Sequence, residues 1–211
     1  FQYVITTTIT VDVPCGRVAA YQAAEGWSSF ANIVGDGCET SYSLVAGVWK
    51  WWAPFEGATA ADLMEAFDNG IVQGDILVNS QDEGFLRRSG VAWGGTLTSI
   101  EPGKMYKVLT EASGMLTVTG EHPSTVTVEL GQGYTWFGFI GNAPVEIRVA
   151  LGTTPTDDDK IFTDDGRTYT YSEDNGLWQS NDGYYIENFK HQPGYGYIYY
   201  SALGNKTLDM L

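Results

Sequence analysis

The strongest constraint on the fold is an internal duplication, because a chain that repeats its own pattern folds as copies of one unit. Gly57–Val78 aligns without gaps with Gly141–Phe162, at an offset of 84 residues. Upstream, Gly26–Phe30 aligns with Gly133–Phe137 at an offset of 107 residues. The two offsets differ by 23 residues, which is the length of Val34–Glu56. The alignment therefore predicts that Val34–Glu56 is an insertion in the first copy.

Strand and turn signals dominate both copies. The 26 glycines and 13 tyrosines favour many strands joined by turns, since tyrosine is enriched in strands and glycine in the turns that bound them. One short helix per copy is expected, and in the first copy Thr59 caps it, Asp62 completes a capping box and Gly70 ends it. The sequence predicts an all-β protein of two tandem, internally duplicated lobes, each a small twisted sheet or sandwich. The predicted domains are an N-terminal strand packed on the repeats (1–25), a first repeat containing the insertion (26–120) and a second repeat with its leading strand (121–211).

The charge balance argues against two classes of partner. The 211 residues include 26 acidic and 11 basic side chains, which gives a formal net charge of -15. Such a chain repels the phosphate backbone of nucleic acids and the surface of anionic membranes. No run approaches the ~20 apolar residues that a membrane span needs. No signal peptide is recognised and the chain begins at Phe1, so we expect a processed protein or an excised module without membrane insertion.

The two cysteines, Cys15 and Cys38, allow one intrachain pairing. In an acidic chain rich in threonine, tyrosine and glycine, an extracellular disulfide is favoured over the alternative of two buried thiols. The bridge would tie Val34–Glu56 to the frame and stabilise the fold by roughly 3 kcal/mol. Two cysteines and two distant histidines do not suit a structural zinc site. We therefore expect an extracellular or cell-surface location.

The repeat carries several short motifs. They are Gly26-Trp27, Gly74-Asp75-Ile76, Asn79-Ser80-Gln81, Gly84-Phe85 and Trp93–Lys107 in the first copy, and Tyr134, Trp136, Trp178 and Pro193–Ser201 in the second. These motifs resemble a module found in tandem in large secreted and surface proteins of bacteria, especially Bacteroidetes, whose members open with GWxWIS, pass through a short helix to GDxIKSQ and end in KMYK or GYMYYS. The resemblance implies a secreted or surface location and a non-catalytic accessory or adhesive role, without an assigned activity.

Tryptophans that recur in both copies are expected to have a different role from those that occur in one copy. The pairs Trp27 with Trp136 and Trp93 with Trp178 recur, so they are expected to pack the core of each repeat. The remaining three, Trp49, Trp51 and Trp52, have no counterpart in this alignment and are the leading ligand-binding candidates. On a strand, indoles two residues apart lie about 6.5–7 Å from each other and present a stacking surface for sugar rings. The alternative is that these indoles seal the gap between the copies.

Three tyrosines are further ligand-binding candidates. Tyr42 lies in the predicted insertion, and Tyr184 with Tyr185 lies in Gln179–Gln192, where the second copy is about six residues longer. A tyrosine offers a sugar a flat face and a hydroxyl group. The alternative for Tyr184 and Tyr185 is an ordinary surface hairpin.

Acidic clusters in the second copy suggest a calcium site only weakly. Asp157, Asp159 and Asp164 supply the oxygen ligands that Ca²⁺ prefers. Their spacing fits no EF-hand loop, and an Asp-Gly pair beside a strand is above all a turn signal. Solvated turns are the favoured interpretation, so no cofactor is expected and calcium is the alternative.

Motifs for catalysis are missing from the sequence. It has no GxSxG nucleophile motif, no phosphate-binding glycine loop before a helix and no HExxH motif. We expect a non-catalytic carbohydrate-binding module of a secreted multimodular protein, which binds polysaccharide or another glycan through surface tryptophans. The alternative is a structural or adhesive surface or filament subunit in which the strand Phe1–Val13 completes a neighbour's sheet. A third option, a receptor-binding module of a phage or cell surface, shares the fold and differs in its partner.

Overall fold

The protein is built almost entirely of strands, which confirms the all-β prediction with two similar lobes. The structure is a computed structural model, which describes residues 8–13, 17–35, 38–120, 123, 125–140, 144–146, 154–183, 185–186 and 190–210. Several of its strands, among them Phe85–Ser89, Tyr106–Thr110 and Thr168–Ser172, alternate buried side chains with more exposed ones, as expected for sheets with one buried face.

The N-terminal residues form a small unit of their own. Strand β1 (Thr10–Val13) and strand β2 (Asn32–Gly35) pair in parallel, joined through helix α1 (Val18–Ala23). The unit contains residues on both sides of the predicted boundary between 25 and 26. Residues 1–7 of the predicted strand Phe1–Val13 lie outside the described residues. The unit's hydrophobic cluster consists of buried Val13, Phe30 and Ile33, with Val11, Val18, Tyr21 and Trp27 packed against them.

The first lobe is a five-stranded antiparallel sheet with a two-stranded ribbon and one helix beside it. The sheet order is β4-β10-β6-β7-β8, the ribbon is β3-β11, and β5 pairs with β9. Leu63 and Phe67 of the helix are fully buried against the ribbon and the sheet. The elements are β3 (Cys38–Leu44), β4 (Lys50–Trp52), β5 (Ala58–Thr59), α2 (Ala60–Gly70), β6 (Ile76–Asn79), β7 (Phe85–Ser89), β8 (Ala92–Gly95), β9 (Ser99–Ile100), β10 (Tyr106–Thr110) and β11 (Gly114–Gly120).

The second lobe repeats this plan with one additional strand. Its sheet has the order β13-β20-β15-β16-β17-β18, its ribbon is β12-β21, and β14 pairs with β19. The elements are β12 (Val126–Leu130), β13 (Gly133–Gly138), β14 (Val145–Glu146), β15 (Lys160–Phe162), β16 (Thr168–Ser172), β17 (Leu177–Ser180), β18 (Tyr185–Ile186), β19 (Lys190–His191), β20 (Gly196–Ser201) and β21 (Lys206–Met210).

The two sheets correspond strand by strand, and β18 alone has no partner among the described strands of the first lobe. Thus β4, β10, β6, β7 and β8 occupy the places of β13, β20, β15, β16 and β17. Trp93 lies opposite Arg88, and Trp178 lies opposite Tyr171 at the same place in the second sheet. The predicted match between the two tryptophans is therefore confirmed.

The predicted insertion Val34–Glu56 is wrong, because this segment contains two strands of the repeat itself. Trp51 lies opposite Lys107 on β10, just as Trp136 lies opposite Ile198 on β20. Strands β3 and β4 therefore correspond to β12 and β13. The alignment was misled by the aromatic motif around Trp27, which belongs to the N-terminal unit and not to a sheet of either lobe.

The ungapped alignment is also displaced by one residue at the strand that follows the helix. It matches Val78 with Phe162, but Val78 pairs with Val108 and Ile161 pairs with Tyr199 at the equivalent place. Since side chains on a strand alternate between faces, a displacement of one residue exchanges the buried and exposed sets. Asp159 thereby occupies a buried position, which Ile76 fills in the first lobe.

Helix α2 forms as predicted. The Thr59 hydroxyl accepts a hydrogen bond from the Asp62 N–H, and the Asp62 carboxylate accepts one from the Thr59 N–H, so the capping box is complete. The helix ends at Gly70, where a Cβ atom would meet the Met115 carbonyl oxygen of β11 at 1.8 Å. In the second copy, residues 145–146 form strand β14 where a helix was predicted, and residues 147–153 lie outside the described residues.

Candidate functional site

The two lobes meet across an approximate two-fold axis. The Gly138 N–H donates to the Gly103 carbonyl at 2.9 Å, and the Ala53 N–H donates to the Gly194 carbonyl at 3.2 Å. These bonds are equivalent, since each joins the proline-glycine turn of one lobe to the first sheet strand of the other. Such a contact, in which each half uses the same patch, is the geometry of an isologous dimer interface. The duplicated chain therefore packs as a dimer made within one polypeptide.

A buried tyrosine holds each proline-glycine turn in place. The Tyr106 hydroxyl accepts a hydrogen bond from the Glu101 N–H at 3.0 Å. In the second lobe, the Tyr197 hydroxyl accepts one from the Gln192 N–H at 2.7 Å. Burial raises the pKa of Tyr106 to about 12, so the phenol stays protonated at neutral pH. The turns that join the lobes are thus fixed by the strands that follow them.

A cleft of about 450 Å³ opens beside this interface, between the two lobes. The first lobe contributes the loop between β6 and β7 and the proline-glycine turn before β10. The second lobe contributes β12 and the outer part of β13. More than half of the lining residues have polar or charged side chains, and Trp136 is the one tryptophan among them. The lining residues used below are Gln81, Glu101, Lys104, Glu129, Thr135 and Trp136.

Lys104 is the positive charge in the cleft, and it bonds to two carboxylates. Its ammonium group donates to Glu83 and lies 3.0 Å from an oxygen of Glu101. Burial alone lowers the pKa of Lys104, but the hydrogen bonds and charges of Glu83 and Glu101 outweigh burial and raise it to about 12. Lys104 is therefore charged at neutral pH and is held in one place on the floor of the cleft.

Trp136 is fixed from two directions. The Gln81 carboxamide accepts a hydrogen bond from the backbone N–H of Trp136 at 2.6 Å and donates one to the backbone carbonyl of Tyr134 at 2.9 Å. It thereby takes the place of a neighbouring strand along the free edge of β13. The Lys107 ammonium lies 4.2 Å from the centre of the Trp136 ring and 4.8 Å from that of Trp51. Trp136 therefore lines the cleft with its backbone held by Gln81 and its ring against the Lys107 ammonium.

The three candidate tryptophans have different environments. Trp49 is 43% exposed at the end of the β3–β4 loop. Trp51 is half-buried on the outer face of the first sheet, where the Lys107 ammonium lies over its ring. Trp52 has no exposed surface and packs on Tyr42 and Tyr106 in the core of the first lobe. Trp52 therefore has no face for a sugar, whereas Trp49 and Trp51 do.

Tyr42 is also a core residue, with 6% of its surface exposed. Its hydroxyl accepts a hydrogen bond from the Phe55 N–H at 3.0 Å, and burial raises its pKa. Tyr185 pairs with Gln179 at the outer edge of the second sheet. Tyr184 lies outside the described residues.

The predicted disulfide cannot be placed. Cys38 begins β3 opposite Gly120, and Cys15 lies outside the described residues, so the pairing of the two cysteines stays a prediction.

Two of the three acidic residues considered for calcium, Asp157 and Asp159, accept hydrogen bonds from the protein itself. Both oxygens of Asp159 are bonded: one accepts from the Ala202 N–H, and the other accepts from the Tyr199 hydroxyl and lies 3.1 Å from the Lys206 ammonium. Asp157 accepts a hydrogen bond from the Glu173 N–H in a turn, and Asp164 is exposed in another turn. Across the described residues, no group of three or more His, Cys, Asp or Glu side chains is arranged to hold a metal ion.

The cleft was missed from the sequence because its walls come from distant parts of the chain. One signal did point to it: the proline-glycine turn recurs in both copies at Pro102 and Pro193, and both turns lie at the interface. A second signal is the size of the side chains at equivalent positions. The ribbon and first sheet strand of the second lobe carry Val128 and Thr135, where the first lobe carries Tyr42 and Lys50. Smaller side chains leave the space that forms the cleft.

Comparisons with known proteins do not assign the chain. No protein-family model matches it, and neither does any curated protein or any solved structure. The resemblance to the tandem bacterial module therefore stays a prediction. Of the helices in the described part of the chain, none is long and apolar enough to cross a membrane.

Proposed function

We propose that this protein is a non-catalytic carbohydrate-binding module of a secreted, multimodular protein, and that it binds polysaccharide in the cleft between its lobes. The observation that carries the proposal is the composition of the cleft. It places a tryptophan, Trp136, beside several residues with hydrogen-bonding side chains. A pyranose ring has the same division, since its C–H face is apolar and its rim of hydroxyl groups is polar.

Each wall of the cleft serves one part of such a ring. The Trp136 indole offers a flat face for C–H contacts. Thr135 and Glu129 offer groups that donate to or accept from hydroxyls, and Lys104 adds a charged donor. The volume of about 450 Å³ falls within the range of small-molecule sites, roughly 300–1,000 Å³. The site therefore accommodates one or two sugar units of a longer chain.

The cleft is formed before any ligand arrives. Gln81 fixes the backbone of Trp136, and Glu83 with Glu101 fixes the ammonium group of Lys104. Side chains that are already ordered lose little conformational entropy on binding, where each mobile one costs about 0.5–1.5 kcal/mol. This preorganisation favours measurable affinity at a small site.

Trp51 and Trp49 extend the aromatic surface towards the first lobe. Trp51 and Trp136 flank the same Lys107 ammonium, so the two indoles belong to one cluster. Trp49 lies two residues before Trp51 and is 43% exposed. We therefore assign the proposed ligand-binding role of surface tryptophans to Trp49, Trp51 and Trp136.

Affinity electrophoresis in gels that contain neutral polysaccharides, followed by calorimetry, tests the proposal. Glu129→Gln and Trp136→Ala should each weaken retention, by about tenfold, which corresponds to about 1.4 kcal/mol. Glu129 is exposed, so its variant should fold like the parent. Glu39→Gln, an exposed carboxylate on β3 outside the cleft, is the matched control and should bind as the parent does. Failure of the parent protein to bind any of a broad polysaccharide panel would overturn the proposal.

A further inference from the structure

A row of outward side chains crosses five strands of the second sheet, from β13 to β17. The strand registers place its members opposite one another, one from each strand. Their chain neighbours Tyr199, Ile161 and Tyr169 are buried, with 4% exposure or less. Because side chains alternate between faces, the members of the row lie on the outer face. The row consists of Tyr134, Tyr200, Lys160, Thr170 and Gln179.

One end of this row is an aromatic platform. Tyr134 is 60% exposed, which is unusually high for a large aromatic ring. Its ring centre lies 5.0 Å from that of Tyr200 and 5.9 Å from that of Phe162. Phe162 is two residues from Lys160 and therefore faces outward as well. Three adjacent rings thus form a patch at the surface.

The outer face also differs in charge from the rest of the molecule. The chain has 26 acidic residues and a net charge of -15. The row nevertheless contains no carboxylate, and Lys160 is its one charged member. Beyond the rings it presents polar, uncharged groups, namely the Thr170 hydroxyl and the Gln179 carboxamide. Such a surface matches an uncharged, hydroxyl-rich ligand better than an ionic one.

The row is continuous with the cleft. Tyr134 and Trp136 lie two residues apart on the same face of β13, and Trp136 lines the cleft. Neighbouring strands lie about 4.7–4.9 Å apart, a spacing comparable to the advance of one pyranose unit along an extended glycan. A chain laid across the strands therefore meets about one side chain of the row for each sugar.

We propose that this row is an extended subsite that takes a linear, uncharged polysaccharide, laid across the strands from the cleft towards β17. The proposal rests on the function proposed above. Sugars at the Tyr134 end stack on the aromatic patch, and sugars further along hydrogen-bond to Thr170 and Gln179. The consequence is an affinity that rises with the length of the oligosaccharide.

Calorimetry with cello-, manno- and xylo-oligosaccharides of two and six units tests this subsite. In the series that binds, the hexasaccharide should bind at least tenfold more tightly than the disaccharide. Tyr134→Ala should remove most of that difference and leave the disaccharide affinity unchanged. Thr170→Val, which keeps the shape and removes the hydroxyl, should weaken the hexasaccharide alone. Phe85→Ala is the matched control, since Phe85 is a 42% exposed ring on the first sheet.

The outcomes separate the two proposals. Disaccharide binding without any gain from length, or a hexasaccharide affinity unchanged by Tyr134→Ala, would overturn the subsite and leave the cleft in place. Tighter binding of polygalacturonate than of all neutral chains would overturn the assignment to uncharged ligands. No binding of any oligosaccharide or polysaccharide would overturn the proposed function itself, and the subsite with it.

Discussion

The ammonium group of Lys107 lies 4.2 Å from the ring centre of Trp136, which belongs to the other lobe. It also lies 4.8 Å from the ring of Trp51, on the neighbouring strand of its own sheet. Trp51 and Trp136 hold equivalent positions in the two repeats, so one cation bridges the two copies of the same residue. Because Lys107 is half-buried, water screens this attraction less than it does at an exposed site.

Lys107→Met should uncouple the two indoles. It keeps the length of the side chain and removes the charge, so we expect the free energy of unfolding to fall by about 1 kcal/mol. Lys107→Arg should retain most of this stability, since a guanidinium also stacks on an indole. Urea unfolding followed by tryptophan fluorescence measures both. Lys190→Met, at an exposed lysine, is the control and should change the free energy of unfolding little. An equal loss of stability in Lys190→Met would show that the cation–π contact is not the cause.

Gly138→Ala should destabilise the contact between the lobes. A Cβ atom at this position would lie 2.4 Å from the Lys104 carbonyl oxygen and 2.6 Å from the Ala53 Cβ, both across the interface. Relief of such a clash requires the lobes to separate, and overpacking of this kind costs about 1–3 kcal/mol. Gly131→Ala has open space around its Cβ and should stay within about 0.5 kcal/mol of the parent. Equal stability of both variants would contradict the close packing at the axis.

Local signals in the sequence predicted local structure well. The capping box of Thr59 and Asp62 and the stop at Gly70 predicted the helix to its last residue. The two proline-glycine turns and the match of Trp93 with Trp178 were also placed correctly. Each of these features depends on residues a few positions apart, where backbone preference and hydrogen bonding decide the outcome.

The features that depend on distant strands were not predicted. Trp51 and Trp52 looked like additions because Gly26–Phe30 resembles the start of β13 more closely than β4 does. The side-chain alternation that separates Trp52, in the core, from Trp51, on the surface, holds only once β4 is paired with β10. The cleft requires both lobes to be in place, so no single stretch of sequence contains it.

Asp159 and Lys206 form a buried ion pair, which the sequence did not predict because Asp159 lies in an acidic cluster typical of a solvated turn. Their charged atoms lie 3.1 Å apart, and the two side chains are 0% and 4% exposed. Removal of one partner leaves a buried charge without its counter-charge, so Asp159→Asn should lower the free energy of unfolding by about 3–5 kcal/mol. Asp174→Asn, in an exposed turn, should have almost no effect.

A double replacement tests the same pair from the other side. Asp159→Leu combined with Lys206→Met removes both charges, and well-packed apolar replacements of buried ion pairs are often neutral or stabilising. The double variant should therefore recover most of the stability that Asp159→Asn loses. Urea unfolding of the parent, of Asp159→Asn and of the double variant gives the comparison. A double variant less stable than Asp159→Asn would show that the hydrogen bonds of Asp159 to Tyr199 and Ala202 matter more than the charges.

His191 should make the protein sensitive to acid. It has no exposed surface and lies against the rings of Phe137, Phe139 and Tyr197, with ring centres 5.2, 5.5 and 4.6 Å away. Burial lowers the pKa of His191 from 6.5 to about 3. The unfolded chain therefore binds this proton near pH 6.5 and the folded chain only near pH 3. Stability from this residue is complete above pH 6.5 and is lost as the pH falls towards 3.

His191→Phe should flatten this dependence. Each unit of pKa difference corresponds to about 1.4 kcal/mol, so the parent should lose several kcal/mol between pH 7 and pH 4 through this group. The variant places an apolar ring among Phe137, Phe139 and Tyr197 and has no proton to bind. Urea unfolding at pH 7 and pH 4 compares the two slopes, so any change in stability at neutral pH cancels. The same loss on acidification in both proteins would show that other groups, and not His191, govern the acid limb.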